Sequence, residues 1–277
     1  MTGASDLLTP ATGRTDARVV LVTGAGRRVG AAIAEALGAH GWTVAVHHHA
    51  SVDGAAQVVR GIEAAGGSAA AFAADLADAE ACAALPSRVA ARFGRLDAVV
   101  HAAASLQRTP LGATSAATVD AILALNLRAP FLLAQASAAL LPDGGAIVCI
   151  GDHLADEATP GYAMHGAAKA GVHALVRQLA GALAPRVRVN AVAPGVVLLP
   201  DDAPPSLAER LAAEAVLGRI GTPTDVADAV RYLLDAPFVT GQVLRVDGGR
   251  GLGASTGNGR VGGGGPHSLT APADRTR

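Results

Sequence analysis

Short apolar runs closed by turn residues recur along the chain at 19–22, 43–46, 69–73, 98–100, 146–150, 187–190 and 243–246. Each is too short for a stable helix and several are rich in valine, so they predict buried strands. Between them lie stretches of helix length with apolar residues at helical spacing, such as 29–40 and the turns leading into 89–93. Strand and helix signals alternate without a break. The pattern predicts one α/β domain over 18–250, a doubly wound parallel sheet flanked by helices.

Composition narrows this picture. A chain of 277 residues is long enough for one large domain or two small ones, and the unbroken alternation favours one. The apolar fraction of 51% is swollen by alanine, and no uninterrupted apolar run approaches the ~18 residues of a spanning helix, so no membrane span is expected. A net charge of −1 gives no reason to expect a nucleic acid partner or an anionic membrane. Cys82 and Cys149 fall in a predicted helix and a predicted buried strand, which points to free thiols in a reducing, cytoplasmic setting. Residues 1–17 are polar and Thr/Pro-rich without the pattern of a signal peptide, and 251–277 are Gly-rich; a disordered leader and a disordered tail are expected. Residues 198–221 interrupt the rhythm with Pro204-Pro205 and a helical run at 206–216, read either as a substrate lid or as an extra surface helix.

Candidate chemistry begins at the first strand-to-helix turn, Thr23-Gly24-Ala25-Gly26-Arg27-Arg28-Val29-Gly30. Glycines there let backbone amides approach a pyrophosphate, and an arginine fork adds attraction to phosphate oxygens. After the second strand stands His47-His48-His49-Ala50-Ser51, with no carboxylate before Asp53. An acid at that place would repel a ribose 2′-phosphate, so the sequence favours NADP(H) over NAD(H). Three adjacent histidines on a strand alternate between faces and no Cys, Asp or Glu cluster accompanies them, so no metal site is expected. Farther on, His165 and Lys169 stand four apart on a predicted helix, on one face. An imidazole is a competent proton donor near neutrality, although a neighbouring lysine opposes its protonation.

These segments, together with Asn126, Asp152, Pro194-Gly195 and Asp247-Gly248-Gly249, resemble the short-chain dehydrogenase/reductase family over roughly residues 18–249. The resemblance implies seven strands and a catalytic Tyr-x-x-x-Lys helix, in which His165 here holds the tyrosine's place. The form Thr-Gly-x-x-x-Arg-x-Gly, with Arg28 where most members have glycine, resembles the pteridine reductase branch. That branch places a His, a basic residue and a Ser on the 2′-phosphate; His49 and Ser51 match, Ala50 departs, and Arg27 or Arg28 is left to supply the cation. The resemblance further implies cofactor contacts from Val29, Asp75 and Leu76 at the adenine side, from Ala102 after the fourth strand, and from Lys169, Pro194 and Gly195 at the nicotinamide side. Asp152 takes the place of the family's usual serine, as in pteridine reductases, and Asn126 that of the asparagine in a kinked helix. Ser105, Leu106, Tyr162 and Leu199 are expected around the substrate; Leu106 stands where pteridine reductases have a stacking aromatic ring, and 194–202 resembles their loop with its paired acids Asp201 and Asp202. The family's pairing of subunits through helices near 111–140 and 162–183 implies a homotetramer or homodimer. The expected activity is NADPH-dependent reduction of a C=N or C=O bond in a small, pteridine-like or cyclic imine substrate. The alternative is a non-redox cyclase, isomerase or lyase, or a ligand-binding protein, on the same fold.

Overall fold

The computed structural model describes residues 17–200 and 202–252. The expected leader and Gly-rich tail, except Ala17, Gly251 and Leu252, lie outside the described residues, as does Asp201. The elements follow in the order β1 (Val19–Thr23), α1 (Arg28–Ala39), β2 (Thr43–His48), α2 (Val52–Ala64), β3 (Ser68–Ala73), α3 (Ala79–Phe93), β4 (Ala98–His101), α4 (Ala116–Leu123), α5 (Ala129–Ser137), β5 (Gly145–Ile150), α6 (Ala163–Leu183), β6 (Val187–Pro194), α7 (Pro205–Ala213), α8 (Pro223–Asp235) and β7 (Val243–Val246). The strands form one parallel sheet in the order β3-β2-β1-β4-β5-β6-β7.

Side chains alternate across this sheet with the period of two that a strand imposes. Val19, Leu21, Val99, Ile147 and Val189 enter a core shared with α3, α5 and α6. Val20, Val22, Val46, Val100 and Val148 enter the opposite core, shared with α1, α2 and α8. Burial on both faces explains why the strands read as continuous apolar runs. Each such side chain contributes about 1.5–3 kcal/mol relative to exposure, against a backbone ordering cost of about 1–2 kcal/mol per residue. Strand interiors therefore hold the fold, and the loops beyond their C-terminal ends are left to carry chemistry.

β2 and β6 run two and four residues longer than the apolar pattern predicts, and the added residues stay paired, His47 and His48 with β3 and Ala191 to Pro194 with β7. Asn190, fully buried in β6, donates through Nδ2 to Val239 O at 2.8 Å and accepts from Gln242 N at 3.0 Å. It fastens the α8–β7 connection, and β6 continues to Pro194. In β2 the strand continues through His47 and His48. α4 and α5 belong to one helix interrupted by a π-helical turn at Ala124–Arg128. Among the described residues this helix, Ala116–Ser137, is long and apolar enough to cross a membrane by length and composition; here it packs beside α3 and α6 in the domain. The run expected at 206–216 is helical only over Pro205–Ala213, and α7 buries none of its residues fully.

Candidate active site

The first turn after β1 is held by close backbone approach. A Cβ on Gly30 would lie 2.2 Å from Gly24 O, and one on Gly54 would lie 2.1 Å from Gly26 O. The glycine turn is thereby folded onto the N-terminus of α2, which brings Ser51 beside it. No side chain caps either α1 or α2, whose N-cap residues are Arg27 and Ser51. Uncapped first-turn amides with the helix dipole behind them, and the exposed Arg27 and Arg28, suit a phosphate. Val29 is half-buried behind them. Thr23, fully buried, accepts from the amides of Ala102 and Ala103 and so fixes the β4 end against this turn.

The three histidines separate. His47 accepts from Gly24 N at 3.0 Å through Nδ1 and faces Ala74 O at 3.1 Å through Nε2, so it holds the glycine turn in place as a neutral ring. Burial, with His48, His49 and Arg88 adding to it, pulls His47 down to about 4. His48 turns to His49 O. His49 is exposed and lies 3.8 Å from Asp75, which also accepts from Ala77 N at 2.9 Å. Leu76 is a core residue, 2% exposed, so only its backbone is left for a ligand.

The reaction centre gathers at the ends of β4, β5 and β6. Asn126, in the π turn and 1% exposed, accepts from Ser105 N at 2.9 Å and donates to Ser105 O at 2.8 Å. His165 Nδ1 lies 3.1 Å from Ser105 O and 3.4 Å from Asn126 Nδ2. His165 Nε2 lies 3.0 Å from Asp152 Oδ2. Nε2–H is thus placed to donate to the Asp152 carboxylate, while Nδ1 lies between the Ser105 carbonyl and the Asn126 amide. The sequence suggested an imidazole between an anion and a cation; instead Lys169 donates to Ile150 O at 2.7 Å, and a carbonyl occupies the second side. Burial lowers Lys169, with Asp152 and Cys149 opposing that shift.

Asp152 has a second histidine. His153 Nδ1 lies 3.0 Å from Asp152 Oδ1 and 3.1 Å from Pro194 O, and Leu154 N donates to Asp152 Oδ1 at 2.9 Å. Burial alone would raise the Asp152 carboxyl, but hydrogen bonds from His153, His165 and Leu154 outweigh it and hold Asp152 well below the usual carboxylate range. Burial would lower His153, yet the bond and charge of Asp152 leave it raised. His153 escaped the sequence reading because strand neighbours point apart, whereas a 3-10 turn at His153–Ala155 folds it back. Its only sequence signal was adjacency to Asp152.

The surrounding pocket residues are less tightly bound. Tyr162 is the N-cap of α6 (φ −129°, ψ 24°) rather than a residue of the helix, because the Pro160-Gly161 turn precedes it. Its ring lies 5.8 Å from the Arg108 guanidinium. Leu106 is exposed and Leu199 half-buried. Arg250 pairs with Glu157 and with Glu214 at the end of α7, tying that helix to the loop after β5. His101, 3% exposed at the end of β4, has no partner for Nε2. Burial, with Lys169 and His47 adding to it, brings it down to about 3.

Residues 24–250 match a family model described as enoyl-(acyl carrier protein) reductase. The chain belongs to the short-chain dehydrogenase/reductase family. It is 35% identical over 236 residues to a 3-oxoacyl-(acyl-carrier-protein) reductase of Staphylococcus aureus, covering 83% of this chain and 96% of that protein. It is 36% identical over 249 residues to the 1-cyclohexenylcarbonyl-CoA reductase of Streptomyces collinus, covering 84% and 86%. Among solved structures, a short-chain dehydrogenase of Burkholderia cenocepacia in complex with NADP superimposes with a TM-score of 0.80 at 35% identity, covering 84% of this chain and 97% of that one.

Proposed function

We propose that this chain is an NADPH-dependent reductase acting on a C=N or C=O bond of a small heterocyclic substrate, pteridine-like or a cyclic imine, with His165 at the place of the usual catalytic tyrosine. The observation that carries this reading is the bonded chain from Asn126 through the Ser105 carbonyl and His165 to Asp152, beside Lys169. Retention of such a chain at the family's reaction centre argues against a fold emptied of its chemistry. The cofactor is NADP(H): relatives of similar fold are NADP and NADPH complexes, and the glycine turn with Arg28, Ser51 and His49 offers cations and donors to a 2′-phosphate. Bound NADPH supplies the hydride.

The chain's own residues handle position and protons. Lys169 uses one proton on Ile150 O and retains two for a ribose hydroxyl. Ala102, Pro194 and Gly195 line the nicotinamide side, and Asp75 with the Leu76 backbone the adenine side. Ser105, Leu106, Tyr162 and Leu199 surround the substrate, and α7 with the segment 198–221 closes over it. His165 holds the proton that the product requires, next to Asp152. Subunits pair into a homodimer or homotetramer, and the enzyme works in the cytoplasm.

The test is turnover. Purified protein with NADPH and a panel of dihydropterins, cyclic imines and ketones is followed by loss of reduced-nicotinamide absorbance and by product mass. His165→Ala is expected to lower turnover by ~10²-fold or more with NADPH affinity nearly unchanged. Full activity in His165→Ala would remove the histidine from proton transfer, and product formation without NADPH loss would overturn the reductase reading.

A further inference from the structure

The polar atoms of the reaction centre divide unevenly between donors and acceptors. Both nitrogens of His165 face acceptors inside the protein, Ser105 O and Asp152 Oδ2. Asn126 Nδ2 is spent on Ser105 O and on His165 Nδ1, and His153 Nδ1 lies between Asp152 Oδ1 and Pro194 O. Lys169 and His165 are each 4% exposed or less. Asp152 differs from all of these, because a quarter of its side chain is open. Oδ1 already accepts from His153 and Leu154 N, whereas Oδ2 accepts only from His165. A carboxylate oxygen has two lone pairs, so Oδ2 keeps one free acceptor direction. At Asp152 this centre therefore offers a substrate a fixed anion seeking a donor.

A carbonyl substrate fits that surface poorly. When hydride reaches its carbon the oxygen becomes an alkoxide, which needs a donor and would here meet a carboxylate. A protonated imine has the opposite requirement. Hydride adds to carbon with its electron pair, the C=N π bond breaks, its pair stays on nitrogen, and C=N–H⁺ becomes a neutral amine while the nicotinamide is oxidised. No proton has to arrive during that step, and the N–H points a donor at its neighbour throughout.

We propose that Asp152, through Oδ2, receives the N–H of the substrate, and that the substrate class is small iminium cations rather than ketones. The proposal rests on the reductase reading above and narrows it. With an iminium substrate the proton held at His165 is not consumed in the hydride step, and His165 and His153 fix the carboxylate from both sides and keep it ionised, consistent with its strongly lowered titration. A buried charge-assisted N–H···O⁻ bond is about twice as strong as a neutral one, which is the physical source of the selectivity.

The experiment titrates the full chain, saturated with NADPH, with two shape-matched probes: piperidinium, the product type of a cyclic imine, and cyclohexanol, that of a ketone. Calorimetry is expected to show piperidinium binding at least about tenfold more tightly. Asp152→Asn, which preserves shape, should abolish that preference; Asp152→Glu, which preserves charge, should keep part of it. In turnover, 1-piperideine should exceed cyclohexanone in kcat/KM by about 100-fold, with the ratio collapsing in Asp152→Asn. NADPH affinity within about twofold of the parent shows that each variant is folded. Equal affinity for the probes, failure of piperidinium to bind, a preference that survives Asp152→Asn, or cyclohexanone reduced as well as the imine would each overturn the proposal. With NADPH still bound and oxidised, those results leave the reductase reading standing. Failure of the parent to bind NADPH removes that reading and the inference together.

Discussion

Arg28 has φ of +55°, and among the described residues it is the one non-glycine residue in the left-handed region. For an L side chain this conformation costs about 1–2 kcal/mol, and the family's more common glycine would occupy it without strain. A strained residue at a ligand turn is a sign that its side chain is needed, and the guanidinium is exposed at the N-terminus of α1, where a phosphate is expected. Two substitutions separate the strain from the charge. Arg28→Gly relieves about 1 kcal/mol of strain but gives back about 0.5–1 kcal/mol through the greater freedom of an unfolded glycine, so its stability should stay within about 0.5 kcal/mol of the parent. Arg28→Ala keeps a Cβ in the strained conformation and should be slightly less stable than Arg28→Gly. Both remove a charge-assisted contact worth about 1.5–3 kcal/mol, equivalent to about 10- to 150-fold in NADPH affinity. NADH, which lacks the 2′-phosphate, should lose far less. Calorimetric titration of both cofactors, with urea unfolding of all three proteins, measures every quantity. Equal losses for NADPH and NADH would refute the assignment of Arg28 to the 2′-phosphate, and unchanged NADPH affinity in Arg28→Gly would refute the link between strain and function.

Other outcomes follow from the same geometry. His47 is brought down to about 4 from 6.5 by burial; above 6.5 both folded and unfolded states are neutral, and as pH falls from 6.5 toward 4 the unfolded state takes the proton first, so stability drops by about 3 kcal/mol. Urea unfolding between neutral pH and pH 4 should show a shallower loss in His47→Asn, whose Oδ1 can still accept from Gly24 N; equal slopes would sink the explanation. The apolar groove on α4, α5 and α6, about 640 Å³ and lined by Leu123, Leu127, Phe131 and Leu175, is the face expected to pair subunits, so Phe131→Arg should lower the mass seen by light scattering at micromolar concentration while leaving NADPH affinity intact. A parent that is monomeric there would refute the pairing.

The sheet was legible because its strands are buried on both faces and carry little besides apolar side chains. The ends furthest from the sequence reading were those of β2 and β6, where a polar residue interrupts the apolar run at His47 and at Asn190 but the backbone pairing continues, to His48 and to Pro194. The same limit applies to the site. Spacing placed His165 and Lys169 on one helix, and motif order placed Asp152 and Asn126 near them, yet neither conveys which way a donor points. That Lys169 turns to Ile150 O, that His153 folds back onto Asp152, and that His165 is closed in by Ser105 are outcomes of loop paths whose residues are distant in sequence, with separations of 19 for Lys169 and Ile150 and 60 for His165 and Ser105.

Under the proposed function, a histidine at the place of the family's tyrosine changes more than the acid itself. An imidazole is shorter than a phenol, so its reactive nitrogen stops deeper in the helix-packed interior, where His165 is 3% exposed. A serine at position 152 would leave that nitrogen without a partner and the substrate without a near neighbour. An aspartate there answers both needs, accepting from His165 Nε2 on one side and presenting a free lone pair to the open site on the other. The two residues are thus one device, and the physical consequence is reciprocal: His165→Tyr in the presence of Asp152 would set a phenol against a carboxylate already held by His153, whereas His165→Tyr with Asp152→Ser would rebuild a centre of donors suited to an alkoxide. The paired substitution should favour ketones over imines more than either single change does, and additive effects of the two would show that His165 and Asp152 act independently.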